Sequence, residues 1–335
     1  MKRFLLKIFL LFSLLALTLA GMAVYHYQSA LQQPVLMEEA KIFEVKRGRG
    51  VWQLAEDLVQ QGILPEPYSF TVHAILQKKH HKIQAGVYEI KPETKLPDLL
   101  DKFATGKVVV YQFTLIEGKT VAEMLEALHA HPALQTQSAL TPNQIAQALN
   151  LPEDALEGWF APNTYQFSHG QSALDLVQRM HQAQKQALDK AWQKRSPNLP
   201  LQSPYEALIL ASIIEKETGV ESERAQVAGV FVRRLQKNMK LQTDPTVIYG
   251  AIQNGSYQGK LTKALLQTDT PYNTYTRLGL PPTPIANPSL LSLEAAMNPA
   301  EGSALFFMAK KDGGHTFSDT YEQHQQAVKA YYQSE

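Results

Sequence analysis

The residues best suited to chemistry close one apolar segment, Leu208 to Gly219, which reads LILASIIEKETG. On a helix, positions three, four and seven apart share a face. Glu217 then extends the stripe of Leu210, Ile213 and Ile214, while Glu215 falls with Leu208, Ala211 and Ser212. A carboxylate at the end of an apolar ridge loses water, and lost water raises its pKa. A carboxylic acid still protonated near neutral pH is what a general acid requires. The same spacing also describes a core helix whose last turn is merely solvated, as most helical carboxylates are, so the remainder of the chain has to decide.

The elements that must position these carboxylates are spread over 335 residues, enough for two or three domains. The net charge of +1 is distributed along the chain and leaves no basic footprint for nucleic acid. The absence of cysteine excludes disulfides, thiol nucleophiles, thiolate metal sites and a lipidated N-terminal cysteine. At the N-terminus Lys2, Arg3 and Lys7 precede an apolar run from Ile8 to Val24, closed by Tyr25 and Tyr27. With Phe4 to Leu6 included and Lys7 snorkelling, the run is about 20 residues, long enough to span a bilayer. The basic flank should remain in the cytoplasm and the rest of the chain should be exported. A signal peptide cut at Ala20 is the competing reading; the length of the run favours an uncleaved anchor over residues 1–27.

Residues 28–40 read as a linker. From 41 to 115 the pattern is that of a small α+β domain. Ile42–Val45 alternates like a strand, Lys46–Gly50 turns, and Val51 to Val59 follows helical spacing. A second helix is expected over Tyr68–Leu76, a strand over Ala85–Ile90, a helix over Thr94–Phe103 with Thr94 as its cap, and a strand over Val108–Leu115. This βααβ order resembles the LysM carbohydrate-binding module, and a generic spacer domain fits the same order. Trp52 and Tyr88 are suited either to stacking on sugar rings or to packing in a core.

Residues 116–335, with a core from 157, carry the remaining chemistry. A helix ends near His131. The cluster EGWFAPNTY, Glu157 to Tyr165, reads as an ordered loop whose aromatics, Trp159 and Tyr165, are candidates either for a sugar platform or for a core plug. Ala173–Trp192 is a long amphipathic helix. Ser222 is placed to cap a helix running to Leu235, and Asp244 followed by Pro245 reads as the cap and first turn of another. Gly279 to Pro288 has too many prolines for regular structure and reads as a rigid surface loop. Ser289 caps a helix to Met297, Ala304–Ala309 and His315–Phe317 form a hairpin, and a final helix carries Tyr321, His324, Val328 and Tyr331 on one face. There is no glycine-rich phosphate loop, no HExxH, no Gly-x-Ser-x-Gly elbow and no metal-ligand spacing among the histidines. His80 and His81, beside lysines, read as a solvated surface, whereas His315 and His324 are free to join a site. Amides, tyrosines and threonines with few strong charges suit a sugar surface.

Taken together, IIEKET (Ile213–Thr218), LQTDPTVIYG (Leu241–Gly250), YNTY (Tyr272–Tyr275), GLPP (Gly279–Pro282) and GGHTF (Gly313–Phe317) resemble the YceG-like endolytic murein transglycosylases. The glycine-aromatic-proline loop, the anchor and the LysM-like region extend the resemblance over essentially the whole chain. Two positions depart from the family pattern, Thr283 and Ser289, where glycine is frequent. The resemblance implies a mixed α+β catalytic domain with Glu217 as the catalytic residue, the glutamate that helical geometry also selects. It implies cleavage between N-acetylmuramic acid and N-acetylglucosamine in nascent peptidoglycan strands, leaving 1,6-anhydro ends and terminating the strand. Substrate-binding candidates are Gln242, Asp244, Tyr249, Asn273, Tyr275, His315, Trp159 and Tyr165; Asp244 and Glu223 are the acids to test as a second partner. No metal or cofactor is called for. Expected partners are peptidoglycan synthases (penicillin-binding proteins) and the division machinery, at the bacterial inner membrane with the bulk of the chain in the periplasm. A peptidoglycan-binding scaffold and a water-using muramidase remain the alternatives.

Overall fold

The computed structural model describes residues 2–134, 139–168, 171–311 and 313–333. Its elements run α1 (Lys2–Gln32), β1 (Lys41–Val45), α2 (Val51–Gln60), α3 (Tyr68–Leu76), β2 (Gly86–Ile90), α4 (Leu96–Thr105), β3 (Val110–Leu115), α5 (Val121–Ala130), α6 (Pro142–Leu149), β4 (Asn163–Ser168), α7 (Ala173–Gln193), α8 (Pro204–Glu217), α9 (Arg224–Gln236), α10 (Asp244–Gln253), α11 (Lys263–Gln267), α12 (Leu290–Met297), β5 (Phe306–Ala309), β6 (His315–Ser318) and α13 (Tyr321–Gln333). The fold is mixed α+β with an N-terminal apolar helix. The described strands form three two-stranded sheets, β1–β2, β3–β4 and β5–β6. Two compact units divide the chain: Met1–Tyr111 with Gln166–Gly170, and Gln112–Tyr165 with Gln171–Glu335. The chain leaves the first unit along β3 and returns to it along β4.

In the first unit α1 is long and apolar enough to cross a membrane, and its apolar side chains are exposed. It continues as helix to Gln32, into the stretch read as linker. Antiparallel β1 and β2 flank α2 and α3, with Phe43 opposite Tyr88 in the ladder. Inward residues Phe43, Leu58, Phe70, Tyr88, Leu99 and Phe103 share one core. Tyr88 is therefore a core residue, its hydroxyl donating to the Gln84 carbonyl at 2.7 Å, whereas Trp52 is 42% exposed. The helix expected to be capped by Thr94 begins after Lys95, which makes no side-chain cap; Pro97 in its first turn needs no partner for a missing N–H.

The second unit is built around α8. Ser203 caps it, its hydroxyl accepting from the Glu206 N–H, and Pro204 occupies the first turn. Every residue from Ala207 to Ile214 is buried, as expected for a helix that is apolar all round. Helices α7, α9, α10 and α12 pack on it. Ser289 caps α12 as expected, accepting from the Ser292 N–H, and β5 pairs with β6, His315 opposite Ala309. Ser222 falls inside a short 3-10 turn, Glu221–Glu223, and α9 starts after it.

The proline-rich segment departs most from expectation. Instead of lying on the surface, Pro284 to Ser289 is buried. Prolines have no N–H to leave unsatisfied, and the donors of Ile285, Asn287 and Ser289 find partners. Ile285 N–H donates to Ser212 Oγ at 3.0 Å, Asn287 N–H to the Lys119 carbonyl at 2.9 Å, and Gly118 N–H to the Asn287 carbonyl at 2.9 Å. The Asn287 side chain accepts from Phe160 N–H at 3.1 Å, and Gln184 of α7 donates to the carbonyls of Gly158 and Pro288. Gly158 lies in the left-handed region, φ +84°, where an added Cβ would come within 2.6 Å of Pro284 Cβ. The glycine-aromatic-proline loop and the proline segment thus lock against α8.

Candidate active site

The two glutamates of α8 meet different surroundings. Glu215 is buried against the start of α12, where Ser289 donates to Oε2 through its N–H at 2.9 Å and through its hydroxyl. A guanidinium nitrogen of the buried Arg224 lies 3.5 Å from Oε1. Glu215 thus ties α8 to the start of α12, with Ser289 as its hydrogen-bond donor.

Glu217 is the last residue of α8 and borders a cleft of about 350 Å³ with Arg234, Gln242, Asp244, Tyr275, His315 and the aromatic side chains of Phe306 and Tyr321 among its walls. Burial pushes its carboxyl up from 4.5 to about 7. The hydroxyl of Thr243, which donates to Oε1, pulls the other way; the charge of Asp244 adds to the rise, and His315 and Arg234 oppose it. The negative end of the helix dipole acts in the same direction as burial. The result is an acid that exchanges its proton near neutral pH.

Neighbouring elements hold this arrangement. Thr243 precedes α10, and its N–H donates to Thr274 Oγ1 at 3.1 Å; Thr274 in turn shares a 2.9 Å hydrogen bond with Thr246. Gln242 sits in the left-handed region at φ +51°, with its N–H on the Thr274 carbonyl. Beneath them the buried Arg234 donates to the carbonyls of Leu241 at 2.8 Å and Leu305 at 2.7 Å, tying α9 to the turn before α10 and to the residue before β5. Its guanidinium lies 5.1 Å from the centroid of the Phe306 ring, on which His324 stacks at 5.3 Å. On the far wall Tyr275 donates to Asp244 at 2.6 Å. Asp244 is not the cap of α10: Thr243 occupies that position, and Asp244, one residue on, turns its carboxylate to Tyr275. Glu223 is committed as well, accepting from His315 N–H at 3.0 Å and Nδ1 at 2.7 Å. Burial works against its charge, but the His315 bonds outweigh it and hold its carboxyl below the usual range.

The candidates from the sequence separate into two groups. Gln242, Asp244, Tyr275 and His315 line the Glu217 cleft. Asn273 is buried, its amide donating to the carbonyls of Leu265, Leu266 and Thr268; it shapes the turn that presents Tyr275, whose N–H it accepts at 2.8 Å. Trp159 stacks on Tyr205 at 6.0 Å, Tyr165 donates to the Ala161 carbonyl, and Tyr249 donates to Glu157 at 3.3 Å. None of these three borders the cleft. Glu157 was not singled out in the sequence. Burial raises its carboxyl to about 8, against hydrogen bonds from Val121 N–H and Tyr249. It joins the start of α5 to α10 across a separate cavity lined by Leu125, His129 and Gln253. Arg234, Thr243, Phe306 and Tyr321 were also missed, since each joins the site through contacts distant in sequence. Among the described residues no three His, Asp or Glu side chains converge as a metal cage requires. The cleft can therefore present one proton-exchanging carboxyl to a neutral polar ligand, flanked by hydroxyl, amide, imidazole and aromatic groups.

The chain is similar to known proteins over most of its length. A sequence model of the YceG-like family matches residues 43–330. An endolytic murein transglycosylase of Bacillus subtilis is 28% identical over 329 residues, covering 92% of this chain and 90% of that protein. One from Streptococcus pneumoniae is 26% identical over 351 residues, covering 94% of this chain and 63% of the longer relative. A crystal structure of a YceG-like protein from Listeria monocytogenes is similar with a TM-score of 0.51 at 29% identity, covering 87% of this chain and all of that one.

Proposed function

The chain belongs to the YceG-like family, and from that premise we propose that it is an endolytic murein transglycosylase with Glu217 as its catalytic acid and base. The enzyme cuts the bond between N-acetylmuramic acid and N-acetylglucosamine inside peptidoglycan strands. Glu217, protonated, gives its proton to the departing glycosidic oxygen. The resulting carboxylate then takes the proton of the muramic C6 hydroxyl as O6 closes onto C1, and a 1,6-anhydro end results. The proton count balances with one carboxyl and no water. The observation that carries this reading is the placement of Glu217, half-buried beside a polar cleft with its carboxyl raised to about 7. Hydrolysis with two carboxylates needs a second free acid at a defined separation. Asp244 and Glu223 are each engaged by a hydrogen-bond donor.

In this reading α1 anchors the enzyme in the inner membrane, its basic flank in the cytoplasm and the bulk of the chain in the periplasm. The βααβ part of the first unit is a LysM-like module, and strand cleavage beside peptidoglycan synthases terminates glycan growth. Gln242, Tyr275 and His315 hold sugar hydroxyl and acetamide groups, with Phe306 and Tyr321 offering rings to sugar faces.

The test is mass spectrometry of products from uncrosslinked glycan strands treated with the full chain in detergent, beside Glu217→Gln. Anhydro-muramic ends from the wild type, reduced at least ~10²–10⁴-fold in the variant, are expected. Reducing ends would instead establish a water-using muramidase and call for a second acid. Binding without turnover by either protein would establish a scaffold.

A further inference from the structure

Helix α3 has two apolar faces and only one of them is covered. Phe70 and Ala74 are fully buried in the core of the first unit. On the other side Tyr68, Val72, Ile75 and Leu76 are 64%, 44%, 51% and 63% exposed. Their spacing of four, seven and eight residues places them on one stripe. Trp52 of α2 extends the stripe, its ring meeting Tyr68 edge-on at 5.4 Å. Lys78, Lys79, His80, His81 and Lys82 follow directly, and no acidic residue occurs between Tyr68 and Lys82.

The packing of α1 indicates what lies over this face. Tyr27 near the end of α1 hydrogen-bonds His73 of α3 at 2.8 Å, Leu31 packs against the core of the same unit, and Lys95 donates to Gln32 at 3.4 Å. From Phe4 to Tyr25 the helix is roughly 33 Å long at its standard rise, close to the ~30 Å hydrocarbon thickness of a bilayer. Tyr27 lies only about 3 Å further along the axis, within the headgroup layer of roughly 5–8 Å on each side. Helix α3 is fastened to α1 at that depth.

We infer that the exposed face of α3, with Trp52, is a membrane-docking surface seated in the headgroup region of the bilayer that α1 crosses. The inference rests on the anchor reading of α1. Tryptophan and tyrosine favour this layer, where the ring body is apolar and the polar tip is wet. Lys78 and Lys82 in the run that follows α3 offer cations to lipid phosphates, while Lys79 is paired with Asp101. Docking holds the first unit flat on the membrane rather than swinging on a stalk.

Because the protein has no cysteine, single nitroxide labels can be placed without background. Full-length Ile75→Cys, Leu76→Cys and Leu14→Cys, each labelled, are reconstituted into vesicles of phosphatidylethanolamine and phosphatidylglycerol. Electron paramagnetic resonance power saturation then compares collisions with oxygen and with a water-soluble nickel chelate. The labels at 75 and 76 are expected to show a several-fold lower nickel accessibility than free nitroxide, and the label at 14 to lie in hydrocarbon. Full nickel accessibility at 75 and 76 with position 14 embedded overturns the docking surface and leaves the anchor intact. An aqueous position 14 removes the anchor and the surface with it. Labels that stay aqueous in vesicles yet are immobilised by added glycan strands would assign the face to sugar and overturn the proposal.

Discussion

Replacing Glu217 by glutamine should stabilise the protein, and the gain should appear only as the pH rises. The native carboxyl is raised from 4.5 to about 7, chiefly by burial. Below pH 4.5 the carboxyl is protonated in both folded and unfolded chains, so its contribution is fully present. Between 4.5 and 7 the unfolded chain releases the proton while the native protein retains it, and stability is lost as pH rises. At pH 8 the ionised side chain costs the fold about 3 kcal/mol, at ~1.4 kcal/mol per pH unit between the two values. Glutamine has the same shape, can accept the Thr243 hydroxyl bond through its carbonyl oxygen, and never ionises. The variant should match the wild type near pH 4.5 and melt about 6–12 °C higher at pH 8, taking ~2–4 °C per kcal/mol for a unit of this size. Calorimetry of the full chain from pH 4.5 to 8, following the transition of the unit that contains α8, measures the difference. Glu215→Gln serves as the contrast: it leaves the Arg224 guanidinium buried without its anion and should destabilise by about 3–5 kcal/mol across the range. A Glu217→Gln difference that stays constant with pH, or has the opposite sign at pH 8, would refute the argument that burial holds this proton.

Two further substitutions test the supports of the site. Thr243→Val removes the hydroxyl that holds the Glu217 carboxyl down without removing a helix cap, since the Thr243 side chain makes none. The alkaline limb of the kcat–pH profile should move to higher pH, and an unmoved limb would show that this bond does not set the proton affinity. Gly158→Ala places a Cβ 2.6 Å from Pro284 at φ +84°. Thermal melts should show a loss of about 2–5 kcal/mol, from left-handed strain and overpacking together; an unchanged melting temperature would mean that the proline segment yields.

What was legible in the sequence is what local periodicity carries. Helix α3 begins and ends at the residues where its spacing places it, whereas α8 is buried all round and no stripe on it separates Glu217 from Glu215. Other features needed knowledge of distant partners. Asp244-Pro245 has the pattern of a cap, yet Thr243 is equally able to precede a helix and leaves Asp244 to Tyr275. The proline count in Gly279–Pro288 reads as loop, and loops usually stay in water because of their unpaired backbone groups. Ser212, Lys119 and Gly118, all more than 70 residues away, satisfy those groups and allow burial. Asn273 spends its amide on three carbonyls at the end of α11, and Trp159, Tyr165 and Tyr249 find partners away from the cleft. Arg234 is the clearest omission, since its charge acquires its meaning only from carbonyls on the turn before α10 and at Leu305, just before β5.

The separation of roles between Glu215 and Glu217 follows from which helix end each one meets. Removal from water drives the Glu217 carboxyl toward its neutral form. Glu215 is met by the N-terminus of α12, where the Ser289 N–H and the Arg224 guanidinium supply positive charge. Glu217 sits at the C-terminus of its own helix, facing its negative end, with Asp244 nearby and a single hydroxyl donor. Two residues of spacing on one helix thus produce one carboxylate that binds the fold together and one carboxyl that retains its proton. Moving the carboxyl by one residue in either direction would lose this division, because position 216 is exposed and position 218 is buried beyond the helix end. The catalytic competence proposed for Glu217 is therefore a property of its address in the helix as much as of its chemistry, and the stability it costs at alkaline pH is the measurable trace of that address.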